Sequence, residues 1–359
     1  MKTEKTILHI DMDAFFASVE RNRKDLEGPV VVCVYSGRSE DSGAVSTCSY
    51  DARELGIHAA MPISRAKDIA EESGEDVNFV SMERGYYREV SDSIRKDILE
   101  EYSDRIEQAS IDEAYLEIEA DIDKAHEKAV EIQEEVLEKF QLTCSIGVAP
   151  NRLVAKIASD REKPEGLTVV RPEEVEEFMH NLERGDIHGI GDKTVGKLED
   201  LGINSVEDLA ETDESLLVRE FGEKQGVKLK RKAQGKDDSE VEEKDQKQIT
   251  RITTLAENSS RASYIEKYFP GLAEEIIEKA EEKGVGFRKA SLVVIDTEIE
   301  MYTRTTTLKS YVQNEEAVIR RGEKLLEQFL KDFEGEVRRI GLRVKDLKET
   351  EGQSRLDDF

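Results

Sequence analysis

The stretch from residue 7 to residue 16 reads Ile-Leu-His-Ile-Asp-Met-Asp-Ala-Phe-Phe, an apolar run that leads into two carboxylates and an aromatic pair. The apolar run predicts a strand. A buried, unpaired carboxylate costs several kcal/mol, so Asp11 and Asp13 need partners there, and a cation is one such partner. The alternative is that one of them, Asp13 more readily than Asp11, caps the helix suggested by residues 14–21.

A second strand-like run, from residue 106 to residue 118, also carries acids within it, Asp112 and Glu113. Successive side chains of a strand point to opposite faces, so the backbone must turn for both to reach one site, as it does in a hairpin. Carboxylates from Asp11, Asp112 and Glu113, without histidine or cysteine, favour Mg²⁺ or Mn²⁺ over zinc. Two such ions serve phosphoryl and nucleotidyl transfer.

Three motifs follow one another along the chain: Asp-Met-Asp-Ala-Phe-Phe-Ala-Ser-Val-Glu at 11–20, Ser-Ile-Asp-Glu-Ala-Tyr-Leu at 110–116, and Cys-Ser-Ile-Gly-Val-Ala-Pro-Asn-Arg-Leu-Val-Ala-Lys-Ile-Ala-Ser-Asp at 144–160. They resemble the palm motifs of Y-family translesion DNA polymerases, most of all the archaeal and bacterial lesion-bypass branch. The resemblance implies a low-fidelity DNA-directed DNA polymerase that adds dNTPs to a primer 3′ end. It also implies two Mg²⁺ ions, with Mn²⁺ as a substitute and the Met12 carbonyl as a further ligand. No segment is typical of a 3′–5′ exonuclease, so proofreading is expected to be absent.

The order of predicted elements is typical of an α+β chain, and 359 residues predict two to four domains. Strands, helices and antiparallel hairpins alternate as in a ferredoxin-like palm, to which a short strand at 77–81 is expected to return. With the resemblance, this pattern predicts a palm at 1–20 and 77–171, small fingers at 21–76, a helical thumb at 172–235, a linker at 236–248, an α/β little finger at 249–346 and a tail at 347–359.

Tyr50 and Arg53 lie three residues apart on a predicted helix and therefore share a face. The resemblance implies that they hold the triphosphate of the incoming nucleotide, with Lys163 as a third contact; solvated surface side chains are the alternative. It also implies that Phe16 lies against the nucleotide sugar and leaves no room for a ribose 2′-hydroxyl. Phe15 belongs to the same nucleotide site, but its side chain is expected to turn the other way, into the core.

Residues 188–203 carry a Gly-Ile-Gly turn followed by Leu-Gly-Ile, a helix-hairpin-helix pattern. Gly189 and Gly191 let such a turn approach DNA, and the start of the next helix, with Lys193, meets a phosphate without reading sequence. A purely structural turn between helices is the alternative.

The last predicted strand has one basic and one apolar face. A sheet with a basic front needs a polyanion in front of it, which resembles the little finger that grips DNA. The basic residues are Arg339, Arg343 and Lys345, and the apolar ones are Ile340, Leu342 and Val344.

The chain ends with Gln353, Leu356 and Phe359 in a spacing that resembles the peptide by which related enzymes bind a sliding clamp. It departs from that pattern because it stops after one aromatic residue. A frayed acidic tail is the alternative.

The formal charge of −28 would by itself disfavour DNA binding. However, residues 249–346 hold 17 basic against 18 acidic side chains, whereas the first 248 hold 34 against 59. An acidic surface of this kind suits a habitat of high salt. No signal peptide or membrane-spanning run is evident, so we expect a cytoplasmic protein without a membrane partner. A monomer is the separate expectation for its oligomeric state.

Two other functions use part of the same pattern. A nucleotide cyclase or another palm-fold nucleotidyltransferase has the carboxylates but does not need the helix-hairpin-helix or the basic sheet. A non-enzymatic DNA-structure-binding protein uses those two modules but leaves Asp112 and Glu113 unexplained.

Overall fold

The structure, a computed structural model, describes residues 5–39, 41–243 and 247–350, and the chain divides into two compact units. The first unit comprises residues 1–35 and 43–244, and the second comprises residues 36–42 and 245–359. The first contains β1 (Thr6–Met12), α1 (Phe15–Lys24), β2 (Val30–Tyr35), β3 (Gly43–Cys48), α2 (Tyr50–Glu54), α3 (Ile63–Ser73), β4 (Asn78–Ser81), α4 (Arg84–Ile94), α5 (Glu100–Tyr102), β5 (Ile106–Gln108), β6 (Glu113–Ile118), α6 (Ile122–Phe140), β7 (Cys144–Ala149), α7 (Arg152–Ser159), β8 (Leu167–Val169), α8 (Val175–His180), α9 (Asp192–Asp200), α10 (Val206–Glu211), α11 (Glu214–Phe221) and α12 (Glu223–Ala233).

The central sheet of the first unit has the strand order β5-β6-β1-β7-β8. Its first four strands are antiparallel and have the order expected of a ferredoxin-like palm, and β8 adds a parallel strand beside β7. All seven residues of β1 are buried, because β1 lies in the middle of the sheet. Helix α6 packs its buried face on this sheet, as does the helix from Arg84 to Tyr102, which contains a π-helical turn at Arg95–Leu99.

A smaller sheet with the order β3-β2-β4 packs with α2 and α3 around a separate apolar cluster. Strand β4 pairs in parallel with β2, with Val31 opposite Phe79. The strand expected at 77–81 is therefore present, but the expectation that it returns to the palm sheet is wrong. A parallel partner so far away in sequence is fixed by packing, not by the local pattern.

Helix α7 lies directly on β7 at Gly147. A Cβ atom at this position would lie 2.0 Å from the carbonyl oxygen of Ala155 and 2.5 Å from the amide nitrogen of Ser159. Only glycine fits such a close approach of two backbones. The contact fixes where the side chains of α7 stand relative to the strands.

The helices from α8 to α12 share an apolar cluster with α7, and the segment after α12 joins it. Residues 236–243 have no regular secondary structure, in keeping with the predicted linker, yet Val241 is 3% exposed and packs in this cluster. Arg152 donates to the carbonyl of Glu240 at 3.1 Å, and Arg95 holds both carboxylate oxygens of Glu243 at 2.7 and 2.9 Å. The first part of the linker is thus anchored to the first unit.

The second unit contains one antiparallel sheet with the order β11-β10-β12-β9, and α14 and α15 pack against one face of it. Its elements are β9 (Gln248–Ser259), α13 (Ala262–Ile265), α14 (Phe269–Glu282), β10 (Val285–Asp296), β11 (Met301–Val312), α15 (Glu315–Lys331) and β12 (Val337–Glu349). Ile340, Leu342 and Val344 are buried beneath the helices, as predicted.

The three residues of the predicted clamp-binding motif, Gln353, Leu356 and Phe359, lie outside the described residues. None of the helices in the described part of the chain is long and apolar enough to span a bilayer.

Candidate active site

Asp11 and Glu113 are direct partners across the antiparallel pair of β1 and β6. Their side chains therefore leave the sheet on the same face, at the spacing of a cross-strand pair. Both contact the ammonium group of Lys156, whose Nζ lies 3.2 Å from Asp11 Oδ2 and 2.6 Å from Glu113 Oε1. Two of the three predicted metal ligands thus converge on one point.

Asp112 ends the four-residue turn of the β5–β6 hairpin, which supplies the predicted bend. Its carbonyl accepts from the backbone N–H of Met12 at 2.9 Å, while its carboxylate accepts from the Ser110 hydroxyl. Asp112 is therefore next to Glu113 in the chain but tied to the hairpin through Ser110. Within residues 5–39, 41–243 and 247–350, no three His, Cys, Asp or Glu side chains are grouped closely enough to hold a metal ion.

Lys163, predicted to contact a triphosphate, also lies at this point. Its Nζ is 2.6 Å from Asp11 Oδ2 and 2.9 Å from Asp160 Oδ1. Asp160 also lies 3.4 Å from Lys156, so two lysines and three carboxylates form one network. Lys156 was not among the predicted site residues. Its position in the otherwise buried helix α7 was the available signal, because a lysine there needs an acidic partner.

These contacts change how the two acids titrate. Burial raises the pKa of Asp11 to about 6, although Lys163 and Lys156 lower it. The His9 ring and the Lys156 ammonium hold the pKa of Glu113 well below its usual range, against its partial burial. Glu113 is therefore anionic over the whole physiological range, whereas Asp11 depends on a neighbouring cation for its charge.

Asp13 is 2% exposed and does not cap α1. The cap position belongs to Ala14, which has a left-handed backbone (φ 44°) and makes no side-chain capping bond, so the capping alternative is wrong. The Asp13 carboxylate instead accepts from the Ser145 hydroxyl at 2.8 Å and from the backbone N–H of Glu165 at 2.9 Å. It braces the chain just ahead of β8.

The two phenylalanines after this aspartate have different surroundings. Phe15 is 3% exposed and lies in the palm core, so a nucleotide can meet it only through its backbone. Phe16 is half-buried and stacks on Tyr87 with ring centroids 4.4 Å apart and an angle of 17° between the rings. Tyr87 is fully buried and donates to Glu20 at 2.8 Å. Phe16 thus rests on a fixed aromatic support that the sequence pattern did not reveal.

Tyr50 and Arg53 contact each other on α2, as their spacing predicts. The Arg53 guanidinium lies over the Tyr50 ring, 4.5 Å from its centroid. The Tyr50 hydroxyl is 3.4 Å from Asp13 Oδ1, which brings α2 to the end of β1. Burial raises the pKa of the Tyr50 hydroxyl above its usual value, and Lys163 and Asp11 are close enough for their charges to affect this pKa as well.

Comparison with known proteins agrees with this geometry. Family models match residues 10–160 (impB/mucB/samB family), 185–237 (DNA polymerase-iota, thumb domain) and 246–357 (impB/mucB/samB family C-terminal domain). DNA polymerase IV 1 of Methanosarcina mazei is 42% identical, with 99% of this chain and 100% of the relative covered, and DNA polymerase IV of Nitrosopumilus maritimus is 35% identical, with 99% of each covered. The chain belongs to the Y family of DNA polymerases.

Two solved structures extend the match. A Y-family polymerase chimera, Dbh-Dpo4(243-245)-Dbh, has a TM-score of 0.88, and an insertion ternary complex of Dbh DNA polymerase has a TM-score of 0.68. Each is 34% identical, and the match covers 96% of this chain and 100% of the other. This Y-family member is a DNA-directed DNA polymerase of translesion synthesis that depends on a divalent metal ion. Its α+β, multidomain fold agrees with the prediction.

The predicted helix-hairpin-helix turn lies in the polymerase thumb. Gly189 has a left-handed φ of 87°, and Gly191 precedes the first turn of α9. Ile187 and Ile190 are buried, so they anchor the turn while both glycines and Lys193 are exposed. The element before the turn is only one helical turn long, at Arg184–Asp186.

The open face of the sheet in the second unit is basic. Strand register places Arg339, Arg343, Lys345 and Lys289 on it, and the Arg343 guanidinium donates to Thr250 Oγ1 at 2.9 Å. Over the described strands, the remaining positions of this face from 248–254, 289–295 and 301–307 hold hydroxyl, amide or apolar side chains and no carboxylate. This unit therefore presents a strip of positive charge, although residues 249–346 hold 17 basic against 18 acidic side chains in all.

Proposed function

We propose that the polymerase extends a primer annealed to a template strand at a site formed by Asp11, Asp112 and Glu113, with two Mg²⁺ ions as cofactors and Mn²⁺ as a substitute. The observation that carries this proposal is that the carboxylates of Asp11 and Glu113 both contact the ammonium group of Lys156. Carboxylate oxygens are hard donors that suit Mg²⁺, so this donor set fits the metal. When bound, two such ions activate the primer hydroxyl and stabilise the leaving pyrophosphate.

The other side chains at the site would bind the nucleotide. Lys163 contacts Asp11, and Tyr50, with Arg53 over its ring, reaches Asp13. Together they supply two positive charges and a hydroxyl, which suits a triphosphate. Phe16, supported by Tyr87, would meet the sugar and exclude a 2′-hydroxyl. The Met12 carbonyl is proposed as one further metal ligand.

The basic strip and the thumb turn would hold the primer-template DNA. Arg339 and Arg343 on the open face suit phosphates of the backbone, and Gly189, Gly191 and Lys193 offer exposed backbone and one positive charge to another phosphate. The solved insertion ternary complex of the similar Dbh DNA polymerase supports this proposal. We also propose that the enzyme works as a monomer, because Asp11, Asp112 and Glu113 all belong to one chain.

The C-terminal residues Gln353, Leu356 and Phe359 are proposed to bind a sliding clamp. Support comes from their spacing alone, with a polar residue followed by an aliphatic and an aromatic side chain at intervals of three. A contact through two apolar side chains and one amide gives a weak tether, and a weak tether still raises the local concentration of an enzyme at its substrate.

Primer extension tests the proposal. With an annealed primer-template, dNTPs and Mg²⁺, the enzyme should lengthen the primer one nucleotide at a time, and EDTA should stop it. A cyclase would instead consume nucleotide without DNA, and a non-enzymatic DNA-binding protein would bind the duplex without consuming nucleotide. Nucleotide turnover that does not require primer-template would contradict the proposed function.

A further inference from the structure

Lys156 is a charged side chain on a buried helix. Five of its neighbours on α7, Leu153, Val154, Ala155, Ile157 and Ala158, are buried and apolar. The lysine side chain itself is 13% exposed. An ammonium group with so little access to water needs charged partners, and Lys156 has three: Glu113, Asp11 and Asp160, at 2.6, 3.2 and 3.4 Å.

The backbone holds this ammonium group at the carboxylates. Because α7 touches β7 at Gly147, the helix cannot withdraw from the sheet without breaking that contact. Asp11 and Glu113 are likewise fixed opposite each other by the register of β1 and β6. The positive charge is therefore as much a part of the site as the two negative charges.

We propose that Lys156 is a positioning residue that neutralises Asp11 and Glu113 as an internal counter-ion and competes with divalent metal ions for their oxygens. When a metal ion binds Asp11 and Glu113, the Lys156 ammonium group pairs with the carboxylate of Asp160 instead. Asp160 lies one helical turn further along, is about half exposed, and already contacts both Lys156 and Lys163. The inference rests on the proposed role of Asp11 and Glu113 as metal ligands.

The competition has a measurable direction. Strand register keeps the two carboxylates opposed with or without the lysine, so removal of its charge leaves the ligands in position. It removes the cation that Asp11 and Glu113 share, while Lys163 stays on Asp11 alone in the parent and the variant. Lys156→Met keeps the length of the side chain without the charge. We expect this variant to bind Mn²⁺ about tenfold more tightly than the parent, since a fixed positive charge close to a divalent ion repels it.

The test uses the full chain without DNA or nucleotide. Binding of Mn²⁺ is followed by electron paramagnetic resonance of the free ion, and thermal unfolding is recorded in EDTA and in Mn²⁺. In EDTA, Lys156→Met should unfold at a lower temperature than the parent, because the carboxylates of Asp11 and Glu113 then repel each other. Addition of Mn²⁺ should raise its unfolding temperature by more than it raises that of the parent. Lys156→Arg should restore the behaviour of the parent.

Lys139→Met is the matched control, because Lys139 pairs with Glu135 on the exposed side of α6 and should leave Mn²⁺ binding unchanged. If Lys156→Met binds Mn²⁺ no more tightly than the parent, the inference is overturned. Failure of the proposed metal site looks different: Mn²⁺ binding by the parent would then be absent or insensitive to Glu113→Gln.

A second variant keeps the test open if Lys156→Met does not fold. Asp160→Asn removes the carboxylate that receives the ammonium group, so Lys156 stays on Asp11 and Glu113 and Mn²⁺ binding should weaken about threefold. An unchanged or tighter affinity would overturn the inference. Where both variants fold, the weakening of Mn²⁺ binding by Asp160→Asn should be smaller in the Lys156→Met background, because the two residues are coupled. Any weakening that remains there is due to Lys163, which Asp160 also contacts.

Discussion

A single substitution at Glu113 tests the proposed chemistry most directly. Glu113→Gln keeps the shape of the side chain and removes its charge. Primer extension should fall at least about a hundredfold, because a misplaced metal ion loses several kcal/mol of transition-state stabilisation. The measurement is single-turnover extension at saturating dNTP and Mg²⁺.

The matched control is Glu135→Gln on α6, where the same change affects only Tyr102 and Lys139. Affinity for primer-template DNA, measured by fluorescence anisotropy, should survive in both variants. Near-native extension by Glu113→Gln would remove Glu113 from the proposed metal site.

Phe16 is the residue proposed to exclude ribonucleotides. Phe16→Ala should admit ribonucleotides, because the proposed discrimination is a steric clash with the 2′-hydroxyl and not a lost hydrogen bond. Use of dNTPs should change less. The measurement is the ratio of kcat/KM for dNTP and rNTP on one primer-template.

Tyr87 supplies the control for this prediction. Tyr87→Phe keeps the ring that supports Phe16, so it should keep the discrimination of the parent, whereas Tyr87→Leu should lose part of it. If Phe16→Ala selects dNTPs as strongly as the parent does, the gate lies elsewhere.

The residue patterns predicted much of this site and missed part of it for a physical reason. Two carboxylates inside apolar strands are locally anomalous, so Asp11 and Glu113 could be recognised from the sequence. Lys156 stands out only as a lysine within a buried helix, and Tyr87 follows the periodicity of an ordinary helix. Their roles depend on which strand each helix packs against, which the sequence does not state locally.

At the scale of elements, strand β12 carries the basic strip, and its DNA role can be measured. Arg339→Ala with Arg343→Ala should weaken primer-template binding about equally on all sequences and reduce the salt slope by about two, one for each lost phosphate contact. Binding is measured at several salt concentrations on two unrelated duplexes.

Arg320→Ala with Lys331→Ala is the matched control, since both side chains lie on α15 and pair with glutamates four residues away. If the double variant at Arg339 and Arg343 keeps the salt slope of the parent, DNA does not bind on this face.

The anchored linker gives an element-scale prediction of stability. Val241→Ala should destabilise the first unit by about 1–2 kcal/mol, because it removes buried methyl groups from a packed cluster. It should also speed trypsin cleavage after the exposed Lys236. Urea unfolding and timed proteolysis of the full chain measure the two effects.

Val130→Ala serves as the comparison, since Val130 is exposed on α6 and its change should stay within about 0.5 kcal/mol. Equal unfolding midpoints for the two variants would mean that the linker is not held by Val241.

Strand and helix positions followed closely from hydrophobic periodicity, but two element-level features did not. The pattern at 77–81 defines a strand without defining its partner. Strand β4 pairs with β2 so that Val31 and Phe79 pack in the cluster with α3, while the next pair, Val32 and Val80, packs in the palm core. Val241 is a single apolar residue in a polar segment, and one such residue is not enough to predict that the segment packs against the first unit. Its partners come from α7 and the thumb helices, which lie elsewhere in the sequence.

For the whole molecule, the tail offers the test of its proposed partner. Deletion of residues 353–359 should leave unassisted primer extension unchanged and remove stimulation by a cognate sliding clamp, because the tail is proposed to bind the clamp and not the active site. Equal stimulation of the truncated and full-length enzymes would make the tail a solvated end.

The basic strip on the second unit lies in a chain of net charge −28, and this contrast affects how the protein behaves in chromatography. A quaternary-amine resin interacts with the acidic surface of the first unit, whereas heparin offers sulfates to the four cations of the strip. The protein should therefore be retained by both resins at low ionic strength, which most polyanionic proteins are not. The salt needed to elute it from heparin depends mainly on the strip, and Arg339→Ala with Arg343→Ala should lower that value without shifting elution from the amine resin.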